Sequence, residues 1–134
     1  MAARIHALGL KAGIYTDAGR DGCGFYYPQT AAAAPNTGSA GHYDQDMIQF
    51  ARWGFDYVKV DWCGGDKEGL DPQQTYARIA QAVAHAEAVT GHHLTFSICE
   101  WGREDPWVWG PQPVTCGGCR ATSATCRTPR ASRA

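Results

Sequence analysis

The sequence predicts an α/β protein in which helices and strands alternate and the strands form a parallel sheet. Three segments of strand length are each preceded by a segment with helical periodicity. Each strand segment ends on an acidic residue, Asp17, Asp61 or Glu100. Because repeated helix–strand units connect parallel strands by right-handed crossovers, the carboxyl ends of the strands should meet at one edge of the sheet. A functional site is most often built at that edge.

The first strand and its flanking segments occupy residues 1–41. Residues 1–8 carry apolar side chains at helical spacing and are followed by Gly9, a residue type that commonly follows a helix. Residues 10–17 are predicted to form a short buried strand. The segment 20–41, rich in Gly, Pro and Ala, is predicted to be a long loop, and ordered loops of this length are usually functional.

The second and third strands follow the same plan. Residues 44–53 carry an apolar stripe at helical spacing, and residues 55–61 form the next predicted strand. Asp71 followed by Pro is a strong helix start, and the helical period continues to Gly91. The third predicted strand is 94–100, and an aromatic segment comes directly after it.

Composition limits the classes of partner. The hydrophobic content of 44% is in the range of folded domains, and the formal net charge of −1 gives no reason to expect nucleic acid or a membrane surface as a partner. No apolar run reaches transmembrane length, and the first residues lack the apolar core of a secretory signal. Residues 114–134 contain no acidic, aromatic, Leu or Ile residue, so residues 113–134 are expected to form a disordered tail.

Lys59 and Asp61 lie two residues apart on the second predicted strand, so their side chains project from the same face. An ammonium group beside a carboxylate favours the ionised form that a carboxylate nucleophile requires. A structural ion pair at the end of an ordinary strand is the alternative interpretation. Tyr15 and Asp17 share a face of the first strand by the same rule, with a core tyrosine and a turn aspartate as the alternatives.

Other candidate residues surround the strand ends. Glu100 is interpreted as an acid/base, as an acceptor for a ligand hydroxyl, or as a solvated loop residue. Trp101 begins a segment with three indoles, which stack on ligand rings and cations but also bury well in a core. Cys23 and Cys63 form a disulfide if the compartment is oxidising and remain free thiols in the cytosol.

Three blocks of the sequence resemble glycoside hydrolase family 27, which contains α-galactosidases and α-N-acetylgalactosaminidases. The blocks are 9–19 (GLKAGIYTDAG), 41–63 (from GHYDQD to FARWGFDYVKVDWC) and 96–102 (FSICEWG), in the family's order over about residues 1–110. The resemblance implies a (β/α)8 TIM barrel, of which residues 1–112 would supply a partial catalytic domain with about strands 3 to 5. It also implies hydrolysis of terminal α-D-galactosyl residues by a retaining double displacement.

The resemblance assigns roles to individual residues. The family's nucleophile falls on Asp61, and its sugar-contacting Lys and Tyr fall on Lys59 and Tyr15. Glu100 would accept the sugar 2-hydroxyl, which favours galactose over acetamido sugars, and Trp101 would line the substrate site. No cofactor and no metal ion are implied, and the partner is a galactoside substrate.

The resemblance also implies a disulfide between Cys23 and Cys63, and therefore a secreted full-length enzyme. The acid/base carboxyl should come from a Trp-Arg…Gly-Asp block after Trp109 that this chain lacks, so the chain itself is expected to be nearly inactive. A reading-frame shift near Val114 would restore such a block. Residues 113–134 are therefore interpreted as a frameshifted, non-homologous tail, and the spacing of Cys116 and Cys119, with Cys126 beyond, as accidental.

Two further hypotheses stay open. The chain could be a non-catalytic remnant that binds galactose or another carbohydrate. Within the family it could instead belong to an α-N-acetylgalactosaminidase or a β-L-arabinopyranosidase.

Overall fold

Three parallel strands lie side by side in the order β1-β2-β3. They are β1 (Gly13–Asp17), β2 (Tyr57–Asp61) and β3 (Thr95–Cys99). The helices are α1 (Ala2–His6), α2 (Cys23–Tyr26), α3 (Tyr43–Arg52), α4 (Cys63–Glu68), α5 (Pro72–Thr90) and α6 (Pro106–Trp109). The computed structural model describes residues 1–27 and 34–110. The predicted tail at 113–134, with its three cysteines, lies outside the described residues.

The strand register brings equivalent positions together at the carboxyl edge. The last residues of the strands pair as Asp17 with Asp61 and Asp61 with Cys99, and two residues earlier Tyr15 pairs with Lys59 and Lys59 with Ser97. Side chains alternate across a strand, so these six residues all project from one face of the sheet. The predicted parallel sheet, with its polar strand ends at one edge, is confirmed.

The opposite face of β2 packs into the hydrophobic core. Val58 and Val60 are fully buried there, together with Met47 from α3 and Ile79 and Tyr76 from α5. The Tyr76 hydroxyl donates a hydrogen bond of 3.1 Å to the Val60 carbonyl, next to the strand end. Helix α5 therefore packs against the apolar face of β2, and the opposite, polar face of the sheet remains available for a site.

Helix α5 begins and ends where the sequence predicts. The Asp71 side chain accepts a hydrogen bond of 2.7 Å from the Gln74 N–H, and Pro72 occupies the first helical turn. Gly91 ends the helix at φ 69°, a left-handed conformation that glycine adopts without strain. Among residues 1–27 and 34–110, no helix is both long and apolar enough to cross a membrane.

Asp56 connects segments at the amino edge of the sheet. Its carboxylate accepts a hydrogen bond of 2.8 Å from the Ala12 N–H and lies 2.7 Å from the His6 ring and 3.0 Å from the Lys11 ammonium. The Ala12 N–H, followed by these two basic side chains, holds the pKa of Asp56 well below its usual range. This cluster ties α1 to the start of β1 and β2, at the end of the sheet away from the candidate site.

Candidate active site

Asp61 lies at the end of the central strand with both carboxylate oxygens engaged. Oδ2 lies 3.0 Å from the Lys59 ammonium, and Oδ1 accepts a hydrogen bond of 3.0 Å from the Trp62 backbone N–H. The side chain of Asp61 is 8% exposed, whereas that of Lys59 is 40% exposed. The hydrogen bond to Asp61 is the main cause that raises the pKa of Lys59, so the ammonium stays charged.

Tyr15 completes a group of three residues on the same face. The Lys59 Nζ atom lies 5.4 Å from the centre of the Tyr15 ring, and Tyr15 is about half exposed. Burial, followed by the charges of Asp61 and Asp17, raises the pKa of Tyr15, so its phenol remains a proton-bearing donor. The structure thus brings together Tyr15, Lys59 and Asp61, with Tyr15 and Lys59 partly exposed beside a buried carboxylate.

Asp17 lies beside Asp61 in the sheet but is fully buried. Its Oδ1 atom accepts hydrogen bonds of 2.8 Å from the Gly19 N–H and 2.9 Å from the Gly64 N–H. Burial raises the pKa of Asp17, and these two donors oppose that effect. Because a ligand cannot reach a carboxylate enclosed in this way, Asp17 is unsuited to transfer a proton to one. The sequence offered no sign of this environment beyond the position of Asp17 at a strand end.

A disulfide joins Cys23 of α2 to Cys63 of α4, with 5.0 Å between the two Cα atoms. The pairing expected from the family resemblance is therefore confirmed. The bond links the segment after β1 to the segment after β2, directly beside the strand ends. Asp17, Cys23 and Cys63 come together closely enough for a metal site, but sulfurs in a disulfide are not available as thiolate ligands.

Cys99 is a free thiol at the end of β3 that sequence reasoning missed. It pairs in register with Asp61, so its side chain lies on the same face of the sheet as Lys59 and Asp61. Burial, followed by the charge of Asp61, raises the pKa of the Cys99 thiol, so it stays protonated. Knowledge of the register between β2 and β3 was needed to place this residue at the site.

Glu100 and Trp101 follow β3 and are placed differently from each other. Glu100 is buried, and its Oε2 atom accepts a hydrogen bond of 3.0 Å from the Glu104 N–H. Its Oε1 atom is buried and has no hydrogen-bond partner among the described residues. Trp101 is exposed, and the Arg103 guanidinium lies 4.5 Å from the centre of its ring. Within residues 1–27 and 34–110, no hydrogen bond or ion pair joins Glu100 or Trp101 to Lys59 or Asp61.

The sequence of this chain is similar to known proteins of one family. The family model described as alpha galactosidase A (Melibiase_2) matches residues 1–126. Alpha-galactosidase A of Cellvibrio japonicus is 44% identical over 105 residues, covering 78% of this chain and 22% of the relative. The chain therefore spans under a quarter of the length of that relative.

Solved structures give the same result. The crystal structure of alpha-galactosidase I from Mortierella vinacea aligns with a TM-score of 0.61 at 36% identity, over 81% of this chain and 24% of that chain. The structure of an alpha-galactosidase from Saccharomyces cerevisiae with raffinose aligns with a TM-score of 0.61 at 27% identity, over 81% of this chain and 22% of that chain. From the family match, the identities and the shared fold, we conclude that this chain belongs to the alpha-galactosidase family, glycoside hydrolase family 27.

Proposed function

We propose that the chain is part of an α-galactosidase that hydrolyses terminal α-D-galactosyl residues with retention of configuration, and that Asp61 is its nucleophile. The observation that carries this proposal is the arrangement of Asp61 and Lys59 at the end of the central strand, beside the exposed Tyr15. The names of the relatives, which are α-galactosidases, support the choice of sugar.

The geometry suits the first step of a double displacement. The Asp61 carboxylate attacks the anomeric carbon and forms an ester bond to the sugar while the leaving oxygen departs. Hydrogen bonds from Lys59 and Trp62 hold the carboxylate in one orientation for this attack. A second carboxyl group, which the family resemblance implies lies outside residues 1–134, protonates the leaving oxygen and then activates water.

Lys59, Tyr15, Glu100 and Trp101 are proposed to bind the sugar. The Lys59 ammonium and the Tyr15 phenol can each donate a hydrogen bond to a sugar hydroxyl. The role of Glu100 is proposed from the family resemblance, in which this residue accepts the sugar 2-hydroxyl and thereby favours galactose over an acetamido sugar. Its Oε1 atom has no partner among the described residues but is buried, so the segment after β3 must move for a sugar to reach it. The exposed indole of Trp101 offers an apolar face for stacking.

The placement of the chain in a larger fold is also part of the proposal. Residues 1–112 are proposed to supply about strands 3 to 5 of a TIM barrel, supported by the parallel β1-β2-β3 order and by the aligned structures. The disulfide between Cys23 and Cys63 supports an oxidising compartment and hence a secreted full-length protein.

Covalent trapping tests the role of Asp61. The 134-residue chain is incubated with 5-fluoro-α-D-galactosyl fluoride, whose fluoride leaves with little help from an acid and whose ring fluorine slows hydrolysis of the ester. Mass spectrometry of peptic peptides should find one adduct, on Asp61, and Asp61→Asn should form none. No adduct on the folded wild-type chain, or an equal adduct on Asp61→Asn, would contradict the proposal.

Two controls separate the alternatives. Galactose binding without adduct formation would favour the carbohydrate-binding remnant. Competition between galactose, N-acetylgalactosamine and L-arabinose for the trapping reaction distinguishes the three family activities, and galactose should protect best. Hydrolysis by this chain should be detectable with galactosides that have activated leaving groups, such as 2,4-dinitrophenol, and undetectable with unactivated ones. The reason is that poor leaving groups need protonation by the acid, which the family resemblance implies is not among residues 1–134.

A further inference from the structure

Asp17 has an environment that the proposed mechanism does not use. Its carboxylate is fully buried at the carboxyl edge of the sheet. Among the described residues, no Lys, Arg or His side chain forms an ion pair with it. Burying a carboxylate without a cation is unfavourable, so a buried carboxylate at this position usually has a specific task.

The contacts of Asp17 connect it to the start of α4, the helix that follows Asp61. Oδ1 of Asp17 accepts from the N–H groups of Gly19 and Gly64 at 2.8 and 2.9 Å. Two residues before Gly64, the Trp62 N–H donates to Oδ1 of Asp61 at 3.0 Å. A single carboxylate thus anchors the first turn of α4 at Gly64, and Trp62, the residue that precedes this helix, is bonded to the carboxylate of Asp61.

Close backbone packing makes this connection rigid. A Cβ atom on Gly19 would lie 2.3 Å from the carbonyl carbon of Gly64, and one on Gly64 would lie 2.8 Å from Oδ1 of Asp17. The Ala18 N–H also donates to the Asp61 carbonyl at 2.8 Å. The segment after β1 and the start of α4 are therefore in direct contact, with room only for glycine at positions 19 and 64.

We propose that Asp17 is a positioning residue for Asp61: by accepting the Gly64 N–H it fixes the start of α4, and Trp62, directly before this helix, orients the Asp61 carboxylate. The inference rests on the proposed function in so far as Asp61 is the nucleophile. It assigns to Asp17 neither contact with the substrate nor proton transfer.

Two substitutions of Asp17 and one matched control test the proposal. Asp17→Asn keeps an acceptor oxygen but loses the charge, and a neutral acceptor forms a weaker hydrogen bond. It should slow the trapping of Asp61 by 5-fluoro-α-D-galactosyl fluoride roughly three- to tenfold. Asp17→Ala removes the acceptor and should slow trapping about 100-fold, as expected for a nucleophile displaced by about 1 Å.

The control is Asp21→Asn. Asp21 is another buried aspartate of the same segment, and its backbone carbonyl packs closely against Gly64. Its carboxylate, however, accepts from the Asn36 N–H and forms no hydrogen bond with Gly64 among the described residues. This variant should trap at the wild-type rate. In every variant the dissociation constant for galactose should stay within about twofold, because only the nucleophile has moved.

Backbone amide NMR separates positioning from a general loss of stability. Asp17→Asn should shift the Trp62 and Gly64 amide signals and speed their hydrogen exchange, and Asp21→Asn should leave both unchanged. Trapping by Asp17→Asn at the wild-type rate, with unmoved Trp62 and Gly64 signals, would overturn the proposal even if Asp17→Ala fails to fold. So would a lower stability accompanied by an unchanged trapping rate in the folded protein.

The two proposals fail in different ways. A wild-type chain that forms no adduct contradicts the proposed function, and the Trp62 amide still shows whether Asp17 fixes the start of α4. A wild-type chain that forms the adduct while Asp17→Asn reacts equally fast contradicts only the role of Asp17.

Discussion

Loss of the disulfide between Cys23 and Cys63 is expected to lower the free energy of unfolding by about 4 kcal/mol at 25 °C. The bond joins residues with a sequence separation of 40. Closing a loop of that size removes conformational entropy from the unfolded chain, and this entropy alone gives the expected magnitude. Cys23→Ser, Cys63→Ser and the double variant should each lose the same amount, because each removes the same single cross-link.

Urea unfolding followed by tryptophan fluorescence, with and without a reductant, measures this difference. Cys99→Ser is the matched control, since it removes a free thiol and leaves the disulfide intact. In that variant the reductant should still destabilise the chain by the full amount. A difference of less than about 1 kcal/mol between oxidised and reduced protein, or a double variant that loses the sum of both single losses, would refute the entropic argument.

Three further predictions concern stability. Asp56 has a pKa held below its usual range by the Ala12 N–H and neighbouring basic side chains, so it stabilises the fold above the ordinary carboxyl pKa. Stability should therefore fall as the pH drops below about 4, and Asp56→Ala should flatten this dependence in urea titrations at several pH values. Tyr76→Phe removes the hydrogen bond to the Val60 carbonyl and should cost about 1 kcal/mol by thermal unfolding. Asp71→Ala removes the N-cap of α5 and should cost about 1 kcal/mol in the same assay, with Asp71→Asn close to wild type.

The sequence predicted the three strands and the main helices because their signals are local. Apolar periodicity and a capping aspartate act within a few residues, and the bounds of α5 agree with Asp71 and Gly91 at either end. The first strand was predicted three residues too early, at 10 rather than at Gly13. Helices α2 and α4 were missed, because their short, glycine-containing sequences have little helical preference of their own.

The shared face of Tyr15, Lys59 and Asp61 was only partly predictable. The two-residue period of a strand places Lys59 and Asp61 on one side. Tyr15 lies beside them because of the register between β1 and β2, which cannot be read from a single sequence. Likewise, the register between β2 and β3 places Cys99 beside Asp61, and the sequence did not predict this.

The sequence by itself determined the α/β class, the caps of α5 and, through its resemblance to a known family, the identity of the candidate nucleophile. Tertiary structure alone decided that Asp17 is an enclosed carboxylate rather than an ordinary turn residue, and that Glu100 is buried with an oxygen that no described residue satisfies. The reason is physical. Periodicity and capping are fixed by neighbours along the chain. Burial and hydrogen-bond partners are fixed by distant segments such as the start of α4, where Gly64 lies 47 residues from Asp17.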